Sequence, residues 1–261
     1  MAATKKNTKS SIPSKRVPFT LSEKNTIHAT LFRYNPSMDF IPRTHTYSLE
    51  KKEGESVWEL LQRIKHHHDG SLTFRGNCGN GACGGCGIKV NGKPVMGCTT
   101  QVSGVMGENN SLTIAPLDEQ HVKKDLASDE SLFFSQLLAA KPWIESRASE
   151  HARRNKMSQK EAELLGRAQE CNLCQLCNAN AKVDLEKELG PAAFVKGYRY
   201  ARDMRDGDVS RVEMLKTHLP VHYSLEKANL CPRDILPGEK IEWIKKQKPI
   251  LPPTKKKKRG K

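Results

Sequence analysis

The 261-residue chain has no apolar run approaching the roughly eighteen residues that a bilayer-crossing helix needs, and its mean hydropathy is −0.65. A membrane span of its own is therefore excluded. No secretory apolar segment precedes the first patterned stretch, and the eight cysteines fall in two ligand-like groups with none scattered. A disulfide framework of the secreted kind is thereby excluded, and the thiols are expected in a reducing, cytoplasmic compartment. The first 22 residues contain no acid, which leaves a transit peptide open, although the Arg-rich amphipathic pattern of such leaders is missing. There is no internal repeat, no catalytic triad, no paired-carboxylate site and no phosphate loop, so the chain has no candidates for hydrolytic or phosphoryl chemistry of its own.

Charge of one sign is abundant, with a net charge of +15, but it is concentrated at the ends. Residues 1–25 carry six basic side chains against one acidic, and residues 252–261 carry six against none, so the remainder is only mildly basic. Such tails read as solvated basic arms, with an anionic membrane face or an acidic partner as the alternative. KKKKRGK also matches a nuclear or RNA-binding tail, but no clustered Arg or aromatic platform accompanies it, and nucleic acid is not expected as a partner.

What is present is a cysteine code. Cys78, Cys83 and Cys86 are spaced C-x4-C-x2-C, and Cys98 follows after eleven residues, the plant-type ligand run of a [2Fe-2S] cluster. Thiolates around two irons concentrate negative charge that inward-turned backbone N–H groups must offset, and glycine lets the loop turn that way. Gly79 to Gly84 also read G-x-G-x-x-G, but no strand-to-helix context or later acidic partner supports a dinucleotide fingerprint. A zinc knuckle would present two C-x2-C pairs, which this stretch lacks.

The pattern around this run predicts a small sheet domain over residues 26–118. Residues 26–34 and 44–49 read as strands, and Ser56 caps a helix with Val57, Leu60, Leu61 and Ile64 on one face, ending at Asp69-Gly70. Asn91-Gly92 between 88–90 and 94–96 is a two-residue hairpin signal, and 112–114 is expected to close the sheet. His66, His67 and His68 are consecutive and cannot readily converge on one metal. Helices are expected at 128–138, 158–169, 191–203 and 237–246, making residues 119–250 a helical second domain, with 1–25 and 251–261 as disordered basic arms.

Within that second domain, Cys171-x2-Cys174-x2-Cys177 begins the bacterial ferredoxin run, whose fourth position is Ala181. Cys231-Pro232 ends a second such run whose first three ligand positions are Val221, Ser224 and Lys227. Since the last cysteine of each run serves the other cluster, Cys171, Cys174, Cys177 and Cys231 form one complete [4Fe-4S] set, while the other cubane has lost its ligands. A three-Cys zinc site or a sensory cluster is the alternative.

A plant-type loop followed by a helical bacterial-type domain resembles the iron-sulfur subunit of succinate dehydrogenase and fumarate reductase over residues 26–247. The likeness extends to 72–75 (LTFR), 122–126 (VKKDL), 190–192 (GPA), 198–200 with 203–206 (YRY, DMRD) and Pro237-Gly238. It implies an α+β protein, an N-terminal plant-type ferredoxin (β-grasp) domain followed by an α-helical bacterial-ferredoxin-like domain. It also implies a partner flavoprotein carrying FAD, where succinate and fumarate interconvert, and a relay through [2Fe-2S], [4Fe-4S] and [3Fe-4S] clusters to a quinone at membrane-anchor subunits. The protein would then be peripheral on the inner face of the cell membrane, or on the matrix side of a mitochondrion. The third cluster's positions correspond to Ala181, Val221 and Lys227, so no [3Fe-4S] cluster is expected and the acceptor is altered. The stretch from Ala181 to Gly190 is shorter than the family's and lacks its tryptophan pair, while His222 stands where the family often has a histidine. Lys227 is expected to put a cation in the emptied site. The alternative function is an iron-sulfur regulatory protein whose basic tails bind nucleic acid or acidic membrane.

Overall fold

The alternation of buried and outward residues in TIHATLFR sets the first strand, β1 (Thr26–Arg33), with Ile27, Ala29 and Leu31 fully buried on one face. It pairs antiparallel with β2 (Arg43–Glu50) along its whole length, from Thr26 opposite Glu50 to Arg33 opposite Arg43. The computed structural model describes residues 25–145 and 156–248. The expectations for the two basic arms therefore lie outside the described residues, apart from Asn25.

Ser56 starts α1 (Val57–His67) with a capping box, its hydroxyl accepting from Glu59 N and Glu59 carboxylate accepting from Ser56 N. The helix lays Val57, Leu60, Leu61 and Ile64 into the core formed with the sheet. The three histidines at its end are exposed. Beyond the cysteine loop, β3 (Gly87–Val90) and β4 (Lys93–Met96) form a hairpin through Asn91 and Gly92, both at positive φ (48° and 75°). That is the two-residue turn whose twist matches its strands. After a single turn of helix, α2 (Val102–Val105), comes β5 (Ser111–Ala115). It does not close an edge: the order is β2-β1-β5-β3-β4, so β5 lies in the middle, parallel to β1 and antiparallel to β3. Its buried Leu112 and Ile114 explain the central place, since they complete the inner face between two hairpins.

A short ribbon, β6 (Val122–Lys124) and β7 (Ala127–Ser128), follows, and Leu126 in its turn is packed in the first domain's core. Because residues 127–128 are used in this ribbon, the next helix, α3 (Ser131–Ala139), begins three residues later than the sequence suggests. The stretch expected as one helix over 158–169 is divided into α4 (Gln159–Leu165), with Ser158 again in a capping box, and a 3-10 turn over Gly166–Glu170. Gly166 breaks the helix at φ 50°. Then come α5 (Leu176–Ala181), α6 (Pro191–Ala201), α7 (Arg211–Lys216), α8 (Leu225–Ala228) and α9 (Pro237–Lys246).

Helix α6 is the centre of the helical domain, with Ala192, Ala193, Phe194, Val195, Gly197 and Tyr198 buried. A side chain at Gly197 would stand 2.6 Å from Leu215 Cδ2, so the contact between α6 and α7 requires glycine there. Arg211, fully buried, is held by the Asp206 carboxylate and the Trp143 carbonyl. Among the described residues no helix is long and apolar enough to cross a membrane.

Candidate metal centres

The first cysteine loop leaves the core at Leu72 and returns at β3. Its glycines at 79, 81 and 84 all take positive φ, which turns consecutive N–H groups inward. The outcome is specific: every one of the four sulfurs accepts at least one backbone N–H. Cys83 N donates to Cys78 Sγ (3.3 Å), Gly85 N to Cys83 Sγ (3.4 Å), Cys98 N to Cys86 Sγ (3.4 Å) and Gly81 N to Cys98 Sγ (3.2 Å). The sulfurs stand as two close pairs, Cys78 with Cys83 and Cys86 with Cys98, the latter 3.1 Å apart. Hydrogen bonds from the Asn80 and Cys83 backbone bring the Cys78 thiol down to about 6, whereas burial, reinforced by the neighbouring Cys98, pushes Cys86 up to about 12. Such donors stabilise thiolates, and the donor set fits a two-iron group. Among the described residues no three His, Cys, Asp or Glu side chains converge on a single ion, and no cysteine is disulfide-bonded.

Cys98 reaches this nest because the β3–β4 hairpin brings it back. Gly97 N donates to the Cys86 carbonyl (2.9 Å), and the start of α1 is tied to the same strand end by Trp58 N to Gly97 O (3.0 Å) and Val57 N to Thr100 O (2.9 Å).

The second set is gathered around one pocket, more widely spaced than a single ion would need. Cys171, Cys174, Cys177 and Cys231 line one pocket, walled by Ala192 and Val195 of α6 and by Leu230, Ile235 and Pro237. The C-x2-C-x2-C stretch bends through positive φ at Leu173 (60°) and Gln175 (62°), directing the N–H groups of Leu173, Leu176 and Asn178 to the sulfurs of Cys171, Cys174 and Cys177. Burial raises all three thiols, Cys174 to about 11. Metal coordination overcomes such burial, because it deprotonates thiols outright. Lys196 and Arg233 stand near enough to favour the charged form of Cys171, and Lys196 also donates to the Cys171 carbonyl (2.8 Å). The four-thiol pocket with inward N–H groups and two cations fits a four-iron group.

The two nests abut. Asn172 Nδ2 donates to the carbonyls of Gly81 (3.1 Å) and Ala82 (3.3 Å), and Arg233 also donates to Gly81 O (3.1 Å). A side chain at Gly84 would lie 2.4 Å from Asn172 O. Cys86, Cys98, Met96, Leu176 and Cys174 share one apolar cluster, so side chains of both nests pack together. Asn172 and Arg233 escaped sequence reading. Their adjacency to Cys171 and Cys231 is a signal, but their partners lie across a domain boundary.

Ala181, Val221 and Lys227, where the resemblance implies third-cluster positions, are placed differently. Ala181 is buried with Leu189, Tyr223 and Ala228 in the helical core, Val221 is 83% exposed, and Lys227 is exposed with its carbonyl accepting from Asn180 (2.7 Å). The cation expected from Lys227 therefore sits at the surface and not in an emptied site, because α8 turns that side chain outward while Ala228 packs inward. Tyr223 is held by the Leu189 carbonyl (2.9 Å), and His222 lies 3.7 Å from Glu188.

Residues 28–135 match the family model described as a 2Fe-2S iron-sulfur cluster binding domain. A curated relative, the mitochondrial succinate dehydrogenase [ubiquinone] iron-sulfur subunit of Dictyostelium discoideum, is 28% identical over 93% of this chain and 89% of its own length. Among solved structures, a chain of the Mycobacterium smegmatis Sdh1 complex in the apo form has the same fold, with a TM-score of 0.71 and 22% identity over 87% of this chain and 99% of that one. A hypothetical protein from Helicobacter pylori matches with a TM-score of 0.51 and 17% identity, over 87% of this chain and 40% of its own. In sequence along most of its length, and in fold, the chain is thus related to the iron-sulfur subunits of succinate dehydrogenase.

Proposed function

We propose that the chain is the electron-transferring iron-sulfur subunit of a succinate dehydrogenase or fumarate reductase type complex. In this reading Cys78, Cys83, Cys86 and Cys98 hold a [2Fe-2S] cluster, and Cys171, Cys174, Cys177 and Cys231 a [4Fe-4S] cluster. When bound, these groups supply reversible one-electron acceptance and release. The chain's own part is to hold them in series. Backbone N–H groups offset thiolate charge in both nests, Lys196 and Arg233 add positive charge at the second, and the apolar cluster of Met96 and Leu176 packs between the two. The observation that carries the reading is the direct contact of the two ligand loops, made by Asn172 and Arg233 on Gly81.

The dicarboxylate site and its FAD belong in this reading to a flavoprotein partner, so the chain acts as one subunit of an oxidoreductase. Attachment to a membrane is through partners, on the inner face. With alanine, valine and lysine at the third ligand positions, no [3Fe-4S] cluster is bound, and the acceptor beyond the second cluster is a membrane-anchor cofactor, a quinone or a soluble carrier.

Anaerobic purification with iron and sulfide analysis tests this directly. The expected result is one two-iron and one four-iron centre per chain, each with a signal in the reduced protein, and no oxidised three-iron signal. Cys231→Ser should abolish the four-iron signal and spare the other; a colourless protein with zinc in both nests would overturn the assignment.

A further inference from the structure

Trp58 stands one position off the buried stripe of α1, and its indole lies against the first cysteine loop. Its backbone N–H is fixed on Gly97 O (3.0 Å), next to Cys98, and its ring packs with Cys86, Met96 and Cys98. The ring also sets where the loop can go. A side chain at Gly76 would meet the indole Nε1 at 2.3 Å and Cys86 Cβ at 3.2 Å, and one at Gly79 would meet Cζ3 at 3.5 Å. The indole therefore spans three stretches that carry ligands, before Cys78, after Cys78 and before Cys98.

Its Nε1–H is fully buried and has no hydrogen-bond partner among the described residues. A buried donor left unpaired is costly, and indole N–H groups in protein interiors normally find an acceptor. The space where a Gly76 side chain would stand is bounded on one side by Nε1 and on the other by Cys86 Cβ, which places the donor beside a ligand-bearing residue. Cys86, whose Cβ borders that space, is one of the four thiols assigned to the two-iron centre.

We propose that Trp58 is a positioning residue of the two-iron centre, its indole N–H donating to the centre's sulfur and so setting its reduction potential. The inference rests on the assignment of a [2Fe-2S] group to Cys78, Cys83, Cys86 and Cys98. The reduced centre carries one more negative charge than the oxidised one, so a donor held against it favours reduction.

Trp58→Phe keeps an aromatic ring under the loop and removes the donor. In the complete chain, iron and sulfide content should be unchanged, the g-values of the reduced two-iron centre should shift, and its reduction should become about tenfold less favourable, ~59 mV for one electron. The four-iron centre's potential should stay where it is. An iron-replete variant with unaltered g-values and potential overturns the proposal. Should the variant fail to load, wild-type protein grown with indole-15N-labelled tryptophan decides: a 15N hyperfine coupling to the reduced two-iron centre is expected, and its absence refutes the role. A wild-type protein without any two-iron signal would instead overturn the assignment of the nest itself.

Discussion

Glycine at position 84 does two jobs at one atom. Its φ of 74° is one that other residues adopt at a cost of about 1–3 kcal/mol, and its missing Cβ is the space occupied by the Asn172 carbonyl. Gly84→Ala should therefore lower stability by at least that much and loosen the contact between the ligand loops, seen as a lower Tm and slower reduction of the second centre from the first. An alanine variant with wild-type Tm and transfer rate would mean that the abutment is incidental. The contrast with Leu173 and Gln175 is instructive. These take positive φ without being glycine, because α5 and the pocket wall hold the second loop from both sides, whereas the first loop is largely exposed.

At the scale of elements, α1 and the β3–β4 hairpin together place the first nest. The helix presents Trp58 to it, and the hairpin returns Cys98. The capping box at Ser56 fixes where α1 begins, with Glu59 held below the usual carboxylate range by the Ser56 backbone and side chain. Ser56→Ala should cost about 1 kcal/mol, measured as a lower Tm in thermal unfolding, because the Glu59 N–H loses its acceptor. The short helices α5, α7 and α8 were not visible in the sequence for a physical reason: six residues or fewer show no amphipathic period, and their helical form is imposed by packing against α6 and α9.

The whole molecule is held together at its junction by charge. Arg33 of β1, buried, reaches Asp69 after α1 and Asp125 of the ribbon (2.9 Å), so the sheet, the helix end and the connection to the second domain meet at one guanidinium. Burial pushes the Asp69 carboxyl up, but hydrogen bonds from Ser71, Tyr47 and Arg33 outweigh it and hold the group well below its ordinary value. A depressed folded-state value means the contribution to stability is present at neutral pH and is lost as pH falls below about 4, where the unfolded chain takes up the proton. His121 has the opposite sign. Asp118 (2.7 Å) and Glu186 raise it, so the link it makes between the ribbon's approach and the helical domain is present at lower pH and fades as pH rises through its raised value. The Tm difference between wild type and Asp69→Asn should accordingly shrink on the acid side, and that between wild type and His121→Gln on the alkaline side; parallel profiles would count against both links.

The chain's covalent order by itself determined which thiols belong together, the hairpin at Asn91-Gly92, the two Ser caps and the start of α6 and α9 at proline, because each is a local pattern whose geometry depends on a few neighbours. It also put alanine, valine and lysine at positions 181, 221 and 227, side chains that do not bind iron as thiolates do. Only the tertiary structure decided that β5 runs between two hairpins, that Lys227 faces outward, that Trp58 lies under the first nest with an unpaired N–H, and that Asn172 and Arg233 clamp one ligand loop to the other. These contacts join residues far apart in sequence, and no periodicity or spacing encodes a distance that arises only when two separately folded cores are pressed together.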